Sequence, residues 1–177
     1  LNFTKLNNDE QKIYNTWNNF VKYFPKGKQL PSFPIWAHEW GATYSFKETT
    51  PYNTSLEKLQ KQRGIFGKKI SGENKDKILE KFIPRYSNQI VKKFPKWKIR
   101  YIEQNRIFYE ENKKYIDGFK SKIYDFEFSY QKFEWACKGE KHTLEDKIIQ
   151  FRQSGLRVSR DRWFPALTTV STQRPYM

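Results

Sequence analysis

The sequence is poor in the residues from which catalytic and metal sites are built. It has one cysteine, Cys137, which excludes an internal disulfide, and two histidines, His38 and His142. The His38–Glu39 pair lacks the second histidine of a zinc-peptidase HExxH motif, so we expect a structural histidine and no bound metal. Neither a GxGxxG fingerprint nor a Walker phosphate loop is present. We therefore expect no catalytic residue, and the chain reads as a binding module.

Long apolar runs are also missing. No apolar stretch approaches the roughly 20 residues of a membrane span. The N-terminus lacks the charged and then apolar pattern of a signal peptide. Together with the single cysteine, these features favour a reducing compartment and predict a cytoplasmic protein. The chain begins at Leu1 rather than at a methionine, which indicates a fragment of a longer protein or a processed chain.

Acidic residues are scarce. The 177 residues include 34 basic and 19 acidic ones, for a net charge of +15. Self-repulsion of this size indicates a polyanionic partner. Nucleic acid is the leading candidate, and an anionic membrane surface is the second. The alternative explanation of the positive charge is an AT-rich genome, which raises the number of lysine residues. The charge is segregated: Lys58–Arg100 holds 14 basic residues and three acids, and Ile148–Met177 holds five arginines and one acid. A solvated face would interleave the two signs.

Hydrophobic periodicity predicts an α+β fold, with helices in the first two thirds and short irregular antiparallel strands in the last third. Prolines and a glycine make Leu30–Pro51 irregular. Helices are predicted over 8–24, capped by Asn8, over 76–83, from Pro84 with Tyr86, Ile90 and Phe94 on one face, and over 96–112. After Gly118 the period changes to two, which predicts strands at Phe133–Cys137 and Leu156–Val158.

The stretch Gln150–Thr169 contains four arginines, no lysine and one acid. If Leu156 and Val158 point into a core, Arg157 points the other way. Arginine presents a rigid fork of donors that matches guanine, whereas lysine is a point charge suited to phosphate. We therefore predict that Arg157 reads a base and that the lysines between Lys58 and Lys98 contact phosphates. A salt-bridged structural strip is the alternative, which the scarcity of local acids disfavours.

Four separated stretches carry a family resemblance, and in chain order they are LPSFPIWAHEWGATYSF, FPKWKIRYIEQNRIFYEEN, KFEWACKG and QFRQSGLRVSRDRWFPALTTVSTQRP. Together they resemble the bacterial DNA (cytosine-5)-methyltransferases of restriction–modification systems. Between about Leu30 and Pro175 the chain is similar to the target-recognition region of that family. The resemblance implies an N-terminal helix and linker over 1–29, a recognition domain over 30–177, and double-stranded DNA as the partner.

The family's catalytic motifs have no counterpart here. The Gly-rich S-adenosylmethionine loop, the Pro-Cys nucleophile loop and the Glu-Asn-Val segment are absent, and the cysteine of WACKG does not lie in a nucleophile loop. The resemblance implies that the catalytic domain and S-adenosylmethionine belong to a parent enzyme that flips its target cytosine out of the duplex. This chain would hold neither the cofactor nor the reaction.

The resemblance also implies roles for individual residues. Gln153 and Ser154 would lie nearest the gap left by the flipped base, Arg157 would reach a guanine, and Thr168 would lie near backbone or base edges. Charge and spacing add Arg152, Arg160 and Arg162 to the expected DNA-binding set. A stand-alone basic module for single-stranded DNA or RNA is the alternative function. A membrane-surface helix over Lys81–Lys98 is disfavoured by prolines at 84 and 95.

Overall fold

The computed structural model describes residues 5–160 and 175–176. The fold is α+β, as predicted, with helices in the first part of the chain and a small mixed sheet of short strands near the C-terminus. The helices are α1 (Asn8–Lys22), α2 (Leu56–Gln60), α3 (Lys75–Phe82) and α4 (Lys96–Tyr124). The strands are β1 (Ile35–Trp36), β2 (Lys132–Ala136), β3 (Ile148–Arg152), β4 (Gly155–Ser159) and β5 (Pro175–Tyr176).

The chain folds as two compact units. Leu1–Ile35 and Lys114–Met177 form the first, which we name the sheet unit, and Trp36–Lys113 forms the second, the inserted unit. Helix α4 continues from one unit into the other, and its backbone leaves helical geometry at Asn112 (φ −127°, ψ 18°). The predicted helix end at residue 112 therefore coincides with this kink, and the helix itself continues through Gly118 to Tyr124.

Helix α1 supplies one wall of the sheet unit's core. Its cap is Asn7, not the predicted Asn8: the Asn7 side chain accepts from the Glu10 N–H, and Glu10 accepts in return from the Asn7 N–H. On its buried face Trp17 stacks on Phe133 of β2, with ring centroids 4.7 Å apart. The indole N–H of Trp17 donates to the Tyr130 carbonyl at 3.0 Å. A buried aromatic contact thus joins α1 to the sheet.

The sheet has the order β1-β2-β4-β3-β5. The predicted strands at Phe133–Cys137 and Leu156–Val158 are confirmed as β2 and β4, whereas β3 was not predicted from the sequence. The expected antiparallel pairing holds for β3 with β4 and with β5, but β2 and β4 are parallel. The reason is that β3 and β4 form a tight hairpin. The chain after β2 therefore runs back through β3 before β4 can lie beside it.

The two faces of the sheet differ in polarity. Phe133 and Trp135 of β2 and Leu156 and Val158 of β4 are buried on the face that packs towards the core. Among the alternate residues, the register aligns Glu134, Arg157 and Gln150 in one row across three strands. Period-two alternation therefore places the charged groups together on the opposite face.

The inserted unit is built around α2 and α3. Its core is a cluster of buried residues: Ala42, Tyr44, Leu59, Ile70, Ile78, Leu79, Phe82 and Ile83. Gly64 is required here, because a Cβ at this position would lie 2.2 Å from the Phe82 carbonyl oxygen.

A buried ionic network adds to this core. The Glu39 carboxylate is fully buried. It accepts hydrogen bonds from the Tyr44 hydroxyl, from the Tyr86 hydroxyl at 2.7 Å and from the Arg106 Nε at 2.9 Å. Burial, followed by the Glu39 charge, raises the pKa of both tyrosines well above its usual value, so both remain neutral donors. The glutamate of the sequence's HE pair is thus part of a structural network.

The predicted helix from Pro84 is wrong. Only one turn forms there, closed by hydrogen bonds from Ser87 and Asn88 to the Pro84 carbonyl. Beyond it, the carbonyls that a helix would need are taken by distant donors. Lys98 Nζ donates to the Tyr86 carbonyl at 2.6 Å, and side chains of the 50–53 region donate to the Val91 carbonyl. Tertiary hydrogen bonds therefore override a helical pattern of apolar residues.

Candidate nucleic-acid interface

The hairpin of β3 and β4 carries most of the predicted DNA-binding residues. Arg152 pairs with Gly155 at the hairpin end, so Gln153 and Ser154 form a two-residue turn in which both are exposed. Gly155 has a φ of +128°, and a Cβ there would lie 2.8 Å from the Cβ of Lys132 on β2. A glycine is therefore needed for the hairpin to turn this tightly against β2.

One carboxylate joins two of the predicted arginines. Arg152 Nη2 donates to Glu134 Oε2 at 2.6 Å, and Arg157 Nη1 lies 3.6 Å from Glu134 Oε1. The Arg152 side chain is 18% exposed, that of Arg157 is 32% exposed and that of Glu134 is 29% exposed. The cluster keeps a net positive charge, and the shared carboxylate limits the directions in which the two guanidinium groups can point.

The expectation that Arg157 lacks an acidic partner is therefore wrong. Glu134 lies 23 positions earlier in the chain, and only the parallel pairing of β2 with β4 brings it opposite Arg157. The sequence held a usable signal, because Glu134 alternates with Phe133 and Trp135 and so belongs to the polar face of its strand. Which strand it would face was not readable from that alternation.

Lys132 adds a further cation on β2 near the hairpin. Burial lowers the pKa of its ammonium group from the usual value. The nitrogen lies 5.1 Å from the centroid of the Phe128 ring. This lysine is not among the residues predicted from the sequence.

The remaining predicted site residues are more dispersed. Arg160 is exposed, donates from Nη2 to the Lys138 carbonyl at 2.7 Å, and has its Nε 3.4 Å from Glu140. It therefore takes part in a local surface pairing separate from Glu134. Arg162 and Thr168 lie outside the described residues. Of the seven predicted DNA-binding residues, the structure places Arg152, Gln153, Ser154 and Arg157 in one hairpin.

The inserted unit carries the lysine-rich segment. Of the 14 basic residues between 58 and 100, twelve are exposed and Lys75 is half-buried. Lys98 is the exception: it is 4% exposed, its ammonium binds the Tyr86 carbonyl, and burial lowers its pKa. The prediction that lysines up to Lys98 contact phosphates is therefore corrected at this position. A lysine that is buried and hydrogen-bonded anchors a loop and cannot reach a phosphate.

The described residues offer little for covalent chemistry. Cys137 is fully buried, and burial raises the pKa of its thiol to about 11, so the thiol stays protonated at neutral pH. His38 is also buried, with its ring edge-on to those of Phe66 and Tyr86. Across residues 5–160 and 175–176, no group of three His, Cys, Asp or Glu side chains is arranged to hold a metal ion. Over the same residues, no helix has both the length and the apolar character to cross a bilayer.

Comparison with known proteins finds a similarity to a methyltransferase. The chain is 25% identical over 151 residues to the type II methyltransferase M.AluI of Cellulosimicrobium cellulans. The match covers 82% of this chain but only 28% of that protein. No protein-family model matches the chain, and no solved structure does. The chain is therefore similar to a region of a methyltransferase and spans less than a third of that protein's length.

Proposed function

We propose that this chain recognises double-stranded DNA in a sequence-specific manner, as the target-recognition part of a DNA cytosine-5 methyltransferase from a restriction–modification system. The observation that carries the proposal is the Arg152–Glu134–Arg157 cluster beside the exposed Gln153–Ser154 turn. Guanidinium groups whose direction is restricted suit bidentate contacts with guanine. The net charge of +15 and the similarity to M.AluI support the same partner.

The proposal divides the contacts into two classes. Exposed lysines of the inserted unit contact phosphates and supply affinity that is independent of sequence. Arg157 reads a guanine, with Gln153 and Ser154 beside the displaced base, and a second set of contacts comes from Arg152, Arg160, Arg162 and Thr168.

The proposal also assigns the reaction to another part of the parent enzyme. Residues 30–177 form the recognition domain, after an N-terminal helix and linker over 1–29. The catalytic domain with its S-adenosylmethionine is the protein partner, and the cytoplasm, where bacterial DNA is found, is the site of action.

Selection from a randomised duplex library tests the proposal. The wild-type chain should enrich one motif. Arg157→Ala should cost on the order of 1–3 kcal/mol on the selected site and much less on random duplex. Arg157→Lys should retain random-duplex affinity and lose the preference, because it keeps the charge without the fork. Failure to enrich any motif, or an unchanged ratio of selected to random affinity in Arg157→Ala, would contradict the proposal.

Two controls accompany this experiment. The thermal midpoint should hardly change in Arg157→Ala, because Glu134 keeps its nearer partner Arg152 at 2.6 Å. Lys77→Ala changes an exposed lysine of α3. It should weaken binding to all duplexes about equally and lower the salt slope by about one.

A stand-alone module for single-stranded nucleic acid is the second candidate. The observation that favours it is the exposure of aromatic rings near cations: Trp97 is 51% exposed, and Tyr52, 38% exposed, has the Lys75 ammonium 5.6 Å from its ring centroid. Competition between a duplex and either of its separated strands distinguishes the two functions. Preference for the single strands would favour this candidate over duplex recognition.

A further inference from the structure

The segment between α3 and α4 presents a large apolar side chain to solvent in a basic setting. From Arg85 to Arg100 there are six basic residues and no acid. Within it Ile90 is 80% exposed and Trp97 is 51% exposed. The Val91 N–H donates to the Gln89 carbonyl at 2.9 Å, which closes a three-residue turn with Ile90 at its tip.

Hydrogen bonds from other side chains of the inserted unit hold this turn in place. The Val91 carbonyl accepts two hydrogen bonds, from Thr50 Oγ1 at 2.9 Å and from Asn53 Nδ2 at 2.7 Å. Three residues further on, Phe94 is buried in the core. Ile90 is therefore fixed in an exposed position rather than carried on a loose loop, and its exposure contributes nothing to the stability of the unit.

We propose that the turn of residues 89–91 is a second DNA-contacting element, in which Ile90 enters a groove and wedges between base pairs. Lys92 and Lys96, both exposed, contact the flanking phosphates. Apolar wedges with basic neighbours unstack a base step and bend the duplex. The inference rests on the proposed function, because it presumes that duplex DNA is the partner, and it adds a contact far from the arginine hairpin in the sequence.

The local charge and backbone favour DNA over other partners. Five of the six cations are exposed, and the segment itself has no acid, although Lys93 lies 3.6 Å from Glu48. Such a surface complements a polyanion. A membrane-surface element would need a continuous amphipathic helix, whereas the 84–95 segment forms only a single turn followed by bends. Isoleucine is among the apolar side chains that DNA-bending proteins insert between base steps.

Ile90→Ala in the 177-residue chain tests the inference, with Ile107→Ala as the matched control. Ile107 is also exposed, at 51%, but its helical neighbours at i−4, i+3 and i+4 are Glu103, Glu110 and Glu111. The probe is a random-sequence duplex of about one to two helical turns with a fluorophore at each end. Anisotropy reports affinity and its salt dependence, and energy transfer between the ends reports bending.

Ile90→Ala should weaken duplex binding on the order of 10-fold, from the loss of buried apolar area. It should also reduce the bend and leave the salt slope unchanged. Lys92→Ala should instead lower the salt slope by about one. Ile107→Ala should match the wild type in every measurement, and neither isoleucine variant should change the thermal midpoint, because both side chains are exposed.

Four results would overturn the inference. If Ile90→Ala binds and bends the duplex as the wild type does, Ile90 is not a wedge, while the proposed duplex recognition still stands. A lowered thermal midpoint in Ile90→Ala would show that the residue is structural. If Ile90→Ala loses binding to anionic phospholipid vesicles while its duplex binding is unchanged, Ile90 contacts a membrane instead. Absence of duplex binding by the wild type would remove the inference together with the proposed function.

Discussion

Glu134 shows how one residue can set the behaviour of two others. Its carboxylate lies 2.6 Å from Arg152 and 3.6 Å from Arg157, and all three side chains are less than a third exposed. A carboxylate so close to two cations repels phosphate and at the same time restricts the guanidinium groups that would meet DNA. We therefore expect Glu134 to lower total affinity and to raise selectivity.

Glu134→Gln is the corresponding prediction at the residue scale. Binding to random duplex should tighten by roughly 2- to 5-fold, the equivalent of about 0.5–1 kcal/mol for a partly exposed charge. The preference for the selected motif should fall, because Arg157 loses its restraint. Glu140→Gln, which removes a carboxylate 3.4 Å from Arg160, is the control with the same change of charge. If both variants retain the same preference, Glu134 has no positioning role.

At the scale of elements, the β3–β4 hairpin and the core of the inserted unit depend on different contacts. The hairpin requires a backbone at Gly155 with a φ of +128° and no Cβ against Lys132. The inserted unit depends on a buried charge, because Glu39 and Arg106 join the 3₁₀ turn at Ala37–Glu39 to α4. The first requirement is steric, and the second is electrostatic.

Gly155→Ala should destabilise the chain by on the order of 2 kcal/mol or more, because a strained φ and a clash with β2 act together. Gly118→Ala is the control: its Cβ would meet nothing within 4 Å, and it lies inside α4. That variant should be neutral or stabilising by about 0.5–1 kcal/mol, since alanine favours a helix. Urea unfolding of both variants gives the comparison, and equal midpoints would show that the hairpin tolerates a side chain.

Glu39→Ala should cost about 3–5 kcal/mol, because it leaves Arg106 largely buried without its carboxylate. The matched change is Glu103→Ala, which breaks the exposed pair of Glu103 with Lys47. That change should cost about 0–1 kcal/mol. Chemical denaturation measures both free energies of unfolding. Similar small losses in the two variants would mean that Glu39 does not hold the inserted unit together.

At the scale of the whole molecule, positive charge is a property of both units. The inserted unit holds 17 basic and 9 acidic residues, and the sheet unit holds 17 and 10, for net charges of +8 and +7. The sequence shows two separate basic stretches, and in the structure both units carry a net positive charge. We expect such a molecule to bind polyanions with a strong dependence on salt.

The whole chain should bind neither S-adenosylmethionine nor zinc and should not methylate DNA. The sequence has no Gly-rich cofactor loop and no Pro-Cys loop, and the thiol of Cys137 is buried with its pKa raised to about 11. Calorimetric titration with each ligand should show no saturable heat, and a labelled methyl group should not reach a duplex. Saturable binding of the cofactor would overturn the interpretation of this chain as a recognition module.

By itself, the sequence determined those features whose cause lies within a few residues. Amphipathic spacing and polar caps are local, so α1, α3 and the start of α4 were predictable to within one or two residues. Period-two alternation identified β2 and β4 for the same reason. The outward direction of Arg157 also followed from local pattern.

Only the tertiary structure decided what depends on groups far apart in the chain. The partner of Arg157 is Glu134, 23 positions away, and the parallel register that pairs them cannot be read from either strand alone. Lys98 was expected among the phosphate contacts, but burial of its ammonium beside the Tyr86 carbonyl excludes it. The predicted helix from Pro84 does not form, because side chains some forty residues earlier donate hydrogen bonds to the Val91 carbonyl. Ile90 is left exposed. Local propensity is worth tenths of a kcal/mol per residue, whereas a buried carbonyl or ammonium without a partner costs about 1–3 kcal/mol or more, so the distant partner prevails.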